Sequence, residues 1–308
     1  MRNVLRIVAV IVCVSGLVVP AGATDMDGAV RPVTNPVWLG LPSVQTLVHP
    51  IFMYHSFPRK VSTEIGDVEM GGDLQLYALQ FEVALTENLS LIAVKDGFID
   101  FNPDNDADGA FSSETGMGDL AAGLKWVFLN DEDKHLLCSV RLVAELPTGD
   151  AQVWQGNGDG TLAPAVSILK IAGPLQFVST LGYIQALDND ESSLFYNAWH
   201  MSYSIKDKVF PLVEINHFHV TDEGNGDTRF RDQVGGAVPA VAQWEGGDLV
   251  NLGSSNGDDN ADYVTLGVGA RFRVNDRVDL GAAYEIPLTD DEDGITDYRV
   301  TADMVWKL

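Results

Sequence analysis

Cysteine is almost missing from this chain: Cys13 and Cys138 are the two it has in 308 residues. Cys13 falls in an apolar leader, so the processed chain keeps Cys138 alone and has no internal disulfide to staple it. Positive charge is scarce as well, with 19 Lys and Arg against 44 Asp and Glu, a formal net charge of -25 and a pI near 4.3. Phosphate backbones are held by Lys and Arg, so this balance excludes a nucleic-acid partner. Long apolar runs are absent except for one, Ile7 to Val19, which is shorter than the ~18–20 residues of a spanning helix. Arg2 and Arg6 precede that run and Pro20-Ala21-Gly22-Ala23 follow it. Charged, apolar and small segments in this order predict a secretory signal over 1–23, cleaved after Ala23. An exported chain that enters a membrane without helices must close its strands into a barrel, because open strand edges are unsatisfied in lipid.

What the chain does have is a period of two. From Asp262 to Leu308, Val264, Leu266, Val268, Ala270, Phe272 and Val274 share one face, while Thr265, Gly267, Gly269, Arg271 and Arg273 share the other. The segments Val278–Ile286 and Tyr298–Leu308 repeat the pattern: an apolar face opposite a small or charged one. Each runs for roughly ten residues, the length a tilted strand needs to cross a bilayer. Upstream lie Leu47–Phe57 (interrupted by Pro50), Leu74–Leu85, Leu89–Phe101, Asp119–Phe128, His135–Leu146, Ala163–Ile171, Leu175–Leu187, Leu194–Ile205 and Val209–Val220.

Turn positions set the expected registers. A turn at Glu87-Asn88 pairs Phe81 with Val94 and Gln80 with Lys95. NDEDK matches Leu124 with Val140 and Trp126 with Cys138; Ala172-Gly173-Pro174 sets Lys170 opposite Gln176. A turn centred on Asp207 sets His200 opposite Glu214 and Ala198 opposite Asn216. These short turns alternate with longer connections at 59–72, 102–117, 147–160, 188–192, 221–261 and 289–297, which together carry roughly -21 of the charge. Short turns on one side and long loops on the other are the outer-membrane arrangement. The expectation is therefore all-β: a single transmembrane antiparallel up-and-down β-barrel of about twelve strands over 47–308. Short turns are periplasmic, long acidic loops extracellular, and 24–46 is a periplasmic N-terminal coil.

Parity assigns to the lumen Glu82, Lys95, Lys125, Arg141, Glu145, Lys170, Glu214, Arg271, Arg273, Asp279, Glu285, Arg299 and Asp303, with His200 and Asn216 beside them. They line a selective constriction or, alternatively, pair with one another and close the barrel. Asp104, Asp106 and Asp108 in DNDADG resemble the start of a calcium loop, although Thr115 stands where the bidentate acid belongs. No other cofactor is expected. His200, Ser202 and Asn216 resemble the serine, histidine and asparagine of an outer-membrane phospholipase. Their parity turns them away from lipid, so no enzyme is expected.

The stretches GGDLQLYALQFEVALTENLSLIAVKDGFIDFNP, GMGDLAAGLKWVF, LVAELPTGD and FPLVEINHFHV resemble the bacterial outer-membrane barrels grouped under the MetA pathway of phenol degradation, over most of the mature chain. The resemblance implies a passive, porin-like channel in the cell outer membrane for small, poorly water-soluble or aromatic solutes. A structural or surface-interaction barrel with a plugged lumen is the alternative. It also implies outer-membrane lipid and lipopolysaccharide as surroundings, and the barrel-assembly machinery as a partner of the last strand. That strand ends in Leu308, where such barrels commonly end in an aromatic.

Overall fold

The computed structural model describes residues 26–61, 67–105, 112–156, 158–189, 191–222, 261–292 and 294–308. The signal at 1–23 lies outside them. The strands are β1 (Leu47–Ser56), β2 (Lys60–Val61), β3 (Val68–Glu69), β4 (Asp73–Ala84), β5 (Leu89–Lys95), β6 (Phe98–Asn102), β7 (Glu114–Met117) and β8 (Leu120–Asp131). Then come β9 (Leu136–Leu146), β10 (Thr161–Ala172), β11 (Leu175–Ala186), β12 (Ser193–Tyr203), β13 (Val209–Asp222), β14 (Asp262–Asn275), β15 (Val278–Pro287) and β16 (Tyr298–Lys307). All pairings are antiparallel, and β1 bonds to both β16 and β4, so the sheet closes on itself. The ribbon β2–β3 stands outside the wall, β5 with β6 forms one interrupted wall strand, and so does β7 with β8. The wall is thus a twelve-stranded barrel, and no described helix is long and apolar enough to cross a membrane.

Alternation fixes what each face meets. Outward stand Leu124, Leu142, Val268 and Leu280, all exposed, between aromatic rims: Tyr77 and Phe98 at the loop end, Phe128, Tyr203, Phe272 and Trp306 at the turn end. An apolar belt this continuous, rimmed by aromatics, is a bilayer-facing surface, and closure removes every unsatisfied edge. The protein is an outer-membrane barrel.

Two registers differ from expectation by one residue. Lys170 lies opposite Phe177, and Ile171 faces Gln176, because Ala172 pairs with Leu175 and leaves Gly173-Pro174 alone as the turn. The shift turns Lys170 outward, not into the lumen. Its ammonium sits at the turn end, donating to the Lys134 carbonyl, where a long side chain can reach the interface. In the β4–β5 hairpin, Phe81 pairs with Ala93 and Val83 with Leu91 around a wider turn, so Ile92 and Val94 face inward. A bulge between Ala93 and Lys95 then carries Lys95 inward too. In the β8–β9 hairpin Leu124 meets Leu142 and Trp126 meets Val140, a slip of two that leaves the faces unchanged. The β12–β13 register is as expected, with His200 opposite Glu214 and Ala198 opposite Asn216.

Between 78 and 80 the β4 ladder to β5 and β6 lapses. Side chains take over: Leu79 N–H donates to Asp96 Oδ1 at 2.9 Å, and the Gln80 amide donates to the Val94 carbonyl. Gly97 beside the break has φ +130, a conformation side chains resist.

The largest departure is the N-terminal coil. Its described part, 26–46, is not outside the barrel; it is folded into the lumen. Val30, Val33, Thr34, Trp38 and Leu39 are almost wholly buried. No period betrays this segment because it pairs with wall side chains rather than with a neighbouring strand.

Candidate functional site: a strap held in the lumen

The segment 26–46, here called the strap, forms a U whose two limbs lead to the turn end. Gly28 lies by Arg273 and Thr46 accepts from Leu308 N–H. Its bend is tied locally, with Trp38 N–H donating to Asn35 Oδ1 and Leu39 N–H to the Asn35 carbonyl. Elsewhere the strap makes few backbone bonds of its own. A buried backbone group must find a partner, and the lumen supplies side chains for the purpose.

Along the limb nearest β1, Lys125 Nζ donates to the Leu41 and Ser43 carbonyls at 3.0 and 2.6 Å. Glu82 accepts from Gln45 N–H at 3.0 Å and pairs with Lys125 at 2.7 Å and with Arg31 of the other limb. Arg141 donates to the Val37 and Trp38 carbonyls and to Tyr196 Oη, and its guanidinium lies 5.7 Å over the Trp38 ring. At the bend Gln80 donates to the Pro36 carbonyl at 3.1 Å.

Along the other limb Glu214 is the main anchor. It accepts from Val33 N–H (2.9 Å), Thr34 N–H (2.7 Å) and Thr34 Oγ1 (2.6 Å), and from the opposite side it meets His200 Nδ1 at 2.6 Å. Arg271 donates to the Arg31 and Pro32 carbonyls while forking onto Asp303 at 2.8 and 2.7 Å. A bidentate guanidinium–carboxylate pair is strong and directional, so it fixes where the remaining donors point. Gln176 both accepts from and donates to Val30, and Arg273, paired with Asp279, donates to the Gly28 carbonyl.

The other lumen candidates brace the wall. The two N–H groups of Asn216 Nδ2 are shared among Glu285 Oε1 (2.9 Å), Thr265 Oγ1 (3.2 Å) and Thr34 Oγ1 of the strap (3.1 Å). Glu285 also lies 3.5 Å from Arg299, which stands beside His55. Lys95 and Glu145 pair near the loop end, apart from the strap. Of the calcium-loop residues, Asp104 is exposed, and Asp106 and Asp108 lie outside the described residues. The phospholipase-like set is half formed: Ser202 Oγ is 3.0 Å from His200 Nε2, but the third partner is Glu214, not Asn216. Ser202, His200 and Glu214 are 2%, 0% and 0% exposed, which leaves no approach for an ester in the bilayer.

The strap itself, Gln80, Gln176, Thr34 and Thr265 were not legible as site residues. One signal was available: glycines on the inward face of strands mark close approach. A Cβ on Gly267 would stand 2.4 Å from Thr34 Cγ2, and one on Gly281 would stand 2.3 Å from Asp303 Oδ1. Gly267 makes room for the strap, and Gly281, between Arg271 and Asp303 in the ladder, lets those two meet across an intervening strand.

Two small cavities lie between the strap and the wall among the described residues. A cavity of about 30 Å³ lies beside Arg31, Glu82, Lys125 and Arg141, and another of about 20 Å³ beside Val37, Ile51, Met53, Leu76 and Ile99. Each holds a water or so, not a solute. At the loop end Phe57, Phe101 and Trp154 pack ring to ring, with Phe101 and Trp154 centroids 4.5 Å apart, over Met53, Leu74 and Ile99.

The same barrel recurs in solved structures. An outer membrane channel from Pseudomonas putida F1 superposes with a TM-score of 0.61 at 14% identity, covering 91% of this chain and 100% of that one. The NanC porin superposes with a TM-score of 0.51 at 6% identity, covering 85% and 100%. At those identities the likeness is one of fold. No curated protein sequence matches the chain. The family model described as "Putative MetA-pathway of phenol degradation" matches residues 57–297, which is most of the chain, and the chain belongs to that family.

Proposed function

We propose that the barrel is a passive outer-membrane channel for small, sparingly water-soluble solutes, aromatic ones included, and that the strap is its movable constriction. The observation that carries this is how the strap is held. A strap bonded as a strand would be part of the wall, whereas this one hangs on individual side chains: Lys125, Arg141, Gln80, Glu214, Arg271, Gln176 and Arg273. Each bond can be exchanged for water without opening the ladder. The apolar lining at Val37, Ile51, Met53, Leu76 and Ile99 suits a solute with little hydration to shed. In this reading the turns face the periplasm and the acidic loops face outward. Lipopolysaccharide then surrounds the loop end, and β16 presents itself to the barrel-assembly machinery. The buried Ser202–His200–Glu214 chain braces the lumen and performs no catalysis.

The same strap also favours the rival reading, a structural barrel with a permanently closed lumen. A crosslink separates the two. A Cβ at position 267 would lie 3.4 Å from Thr34 Cβ, close to the roughly 3.5–4.5 Å of disulfides. Thr34→Cys/Gly267→Cys, reconstituted in liposomes, is expected to admit phenol-sized solutes when reduced and to exclude them when oxidised. Exclusion in both states, with the wild type also silent, identifies a closed structural barrel. Equal passage in both states removes the strap from any role in permeation.

A further inference from the structure

The larger cavity, about 30 Å³ between strap and wall, is unbalanced in charge. Three cations line it, Arg31 of the strap, Lys125 of β8 and Arg141 of β9, and Glu82 is the one acid among its described lining residues. Lys125 and Arg141 are directly opposed in the β8–β9 ladder, a placement in which like charges repel. Glu82 is already paired, with Lys125 at 2.7 Å and with Arg31. Arg141 has no carboxylate partner among the described residues: its Nη atoms donate to the Val37 and Trp38 carbonyls and to Tyr196 Oη, all neutral acceptors. The side chain is buried, and its Nε, like that of Arg31, has no hydrogen-bond partner among the described residues. A buried charge is costly unless it is paired. A lysine can shed its proton to escape that cost, but a guanidinium cannot. Two arginines against one carboxylate therefore leave positive charge in the cavity whatever Lys125 does.

We propose that this cavity binds a small monovalent inorganic anion, of the size and charge of chloride, between the strap and the wall. Room for one water needs roughly 10–15 Å³ of such space, so a cavity of about 30 Å³ takes a halide and excludes an organic acid. The unpaired Nε–H groups offer charge-assisted bonds, stronger than those to a neutral acceptor. Gly40 of the strap lines the same cavity, and a Cβ there would meet nothing nearer than Arg141 Nη1 at 3.8 Å. The missing side chain thus leaves open space beside the guanidinium that lacks an acid. Arg31 reaches the ion from the strap, Lys125 and Arg141 from two adjacent strands, so an occupied site joins strap to wall. Binding here is separate from permeation and stands whether or not the strap moves.

The test uses the full barrel in a non-ionic detergent and zwitterionic buffer, with sodium gluconate as the only salt, titrated calorimetrically with sodium chloride. One saturable equivalent is expected, against a background of gluconate that is too large for the cavity. Arg141→Gln should weaken binding at least about tenfold, the loss of one hydrogen bond from a charged donor. Gly40→Asp, which sets a carboxylate of the chain's own beside Arg141, should abolish it. Lys170→Gln removes an outward cation at the turn end and should leave binding unchanged. Heat-modifiable migration should confirm that every variant remains a folded barrel. Absence of saturable chloride binding to the wild type overturns the proposal. So does binding left unchanged by Arg141→Gln or by Gly40→Asp, or abolished by Lys170→Gln.

Discussion

The wall and the strap solve the same physical problem in opposite ways. Both must satisfy every buried backbone group. The wall does so with repeating ladders, so each strand's bonds are cooperative with its neighbours' and closure leaves no edge. The strap does so one residue at a time, with a guanidinium here and a carboxylate there. A ladder announces itself in sequence as alternation; individual anchoring announces nothing. The contrast also separates their stabilities. Removing the strap leaves the ladders whole, whereas removing a strand does not, so the two should come apart under mutation.

The sharpest break is expected at Gly267. It lies on an inward position of a regular strand, and its missing Cβ is what admits Thr34. Gly267→Leu should fit the strand but not the strap. The expected outcome is a large, several-fold gain in single-channel conductance with little loss of thermal stability in lipid. An unchanged conductance would mean that the strap tolerates displacement without opening a path.

One residue away the sign of the effect moves to the wall. Leu266 faces lipid, and Leu266→Arg should cost about 2–4 kcal/mol if it lies near the bilayer midplane. Conductance should stay as it was. Unfolding in vesicles measures the first and planar bilayers the second; a conductance gain here, or no stability loss, would dissolve the distinction between the two faces.

How much of this was legible follows the same division. The β12–β13 hairpin was read in its true register because Lys206-Asp207-Lys208 is an unambiguous polar turn, and the His200–Glu214 contact followed from it. The β10–β11 hairpin slipped because Ala172 suits a turn as well as a strand, and a slip of one residue sends Lys170 to the other face. Lys95 was assigned inward by a parity that put Val94 outward; both point in, because a bulge intervenes. Apart from Lys170, which points outward, the lumen charges were legible as a set, but their purpose was not. Their partners are carbonyls and amides of a segment with no pattern of its own, and only the glycines at 267 and 281 hinted at close approach.

A smaller effect is expected from the main anchor of the strap. Glu214→Gln keeps the shape but replaces one acceptor oxygen with a donor, facing Val33 N–H and Thr34 N–H, which are donors themselves. One unsatisfied pairing of this kind costs about 1–3 kcal/mol. That should loosen the strap without expelling it, appearing as brief open events while wall unfolding barely shifts. Events as long as those of Gly267→Leu would make Glu214 the sole latch; a silent trace would place the hold on Arg271 and Arg141.

The smallest effect belongs to the loop end, where neither wall nor strap contributes most of the charge. The 289–297 connection carries Asp290, Asp291, Glu292, Asp293 and Asp297, and Asp290 and Asp291 are exposed or nearly so. Acid at a mouth raises the local cation concentration, and salt screens this over a Debye length of about 10 Å at 0.1 M. Once the strap is displaced by Gly267→Leu, the open barrel should prefer cations modestly in dilute salt and lose that preference as salt rises. Asp290→Asn/Asp291→Asn should weaken it further without changing conductance in concentrated salt. The reversal potential under a salt gradient reads this directly. Anion preference in dilute salt would mean that Arg141, Arg271 and Arg273, freed from the strap's carbonyls, govern permeation in place of the loops, and the strap would then be setting charge selectivity as well as size.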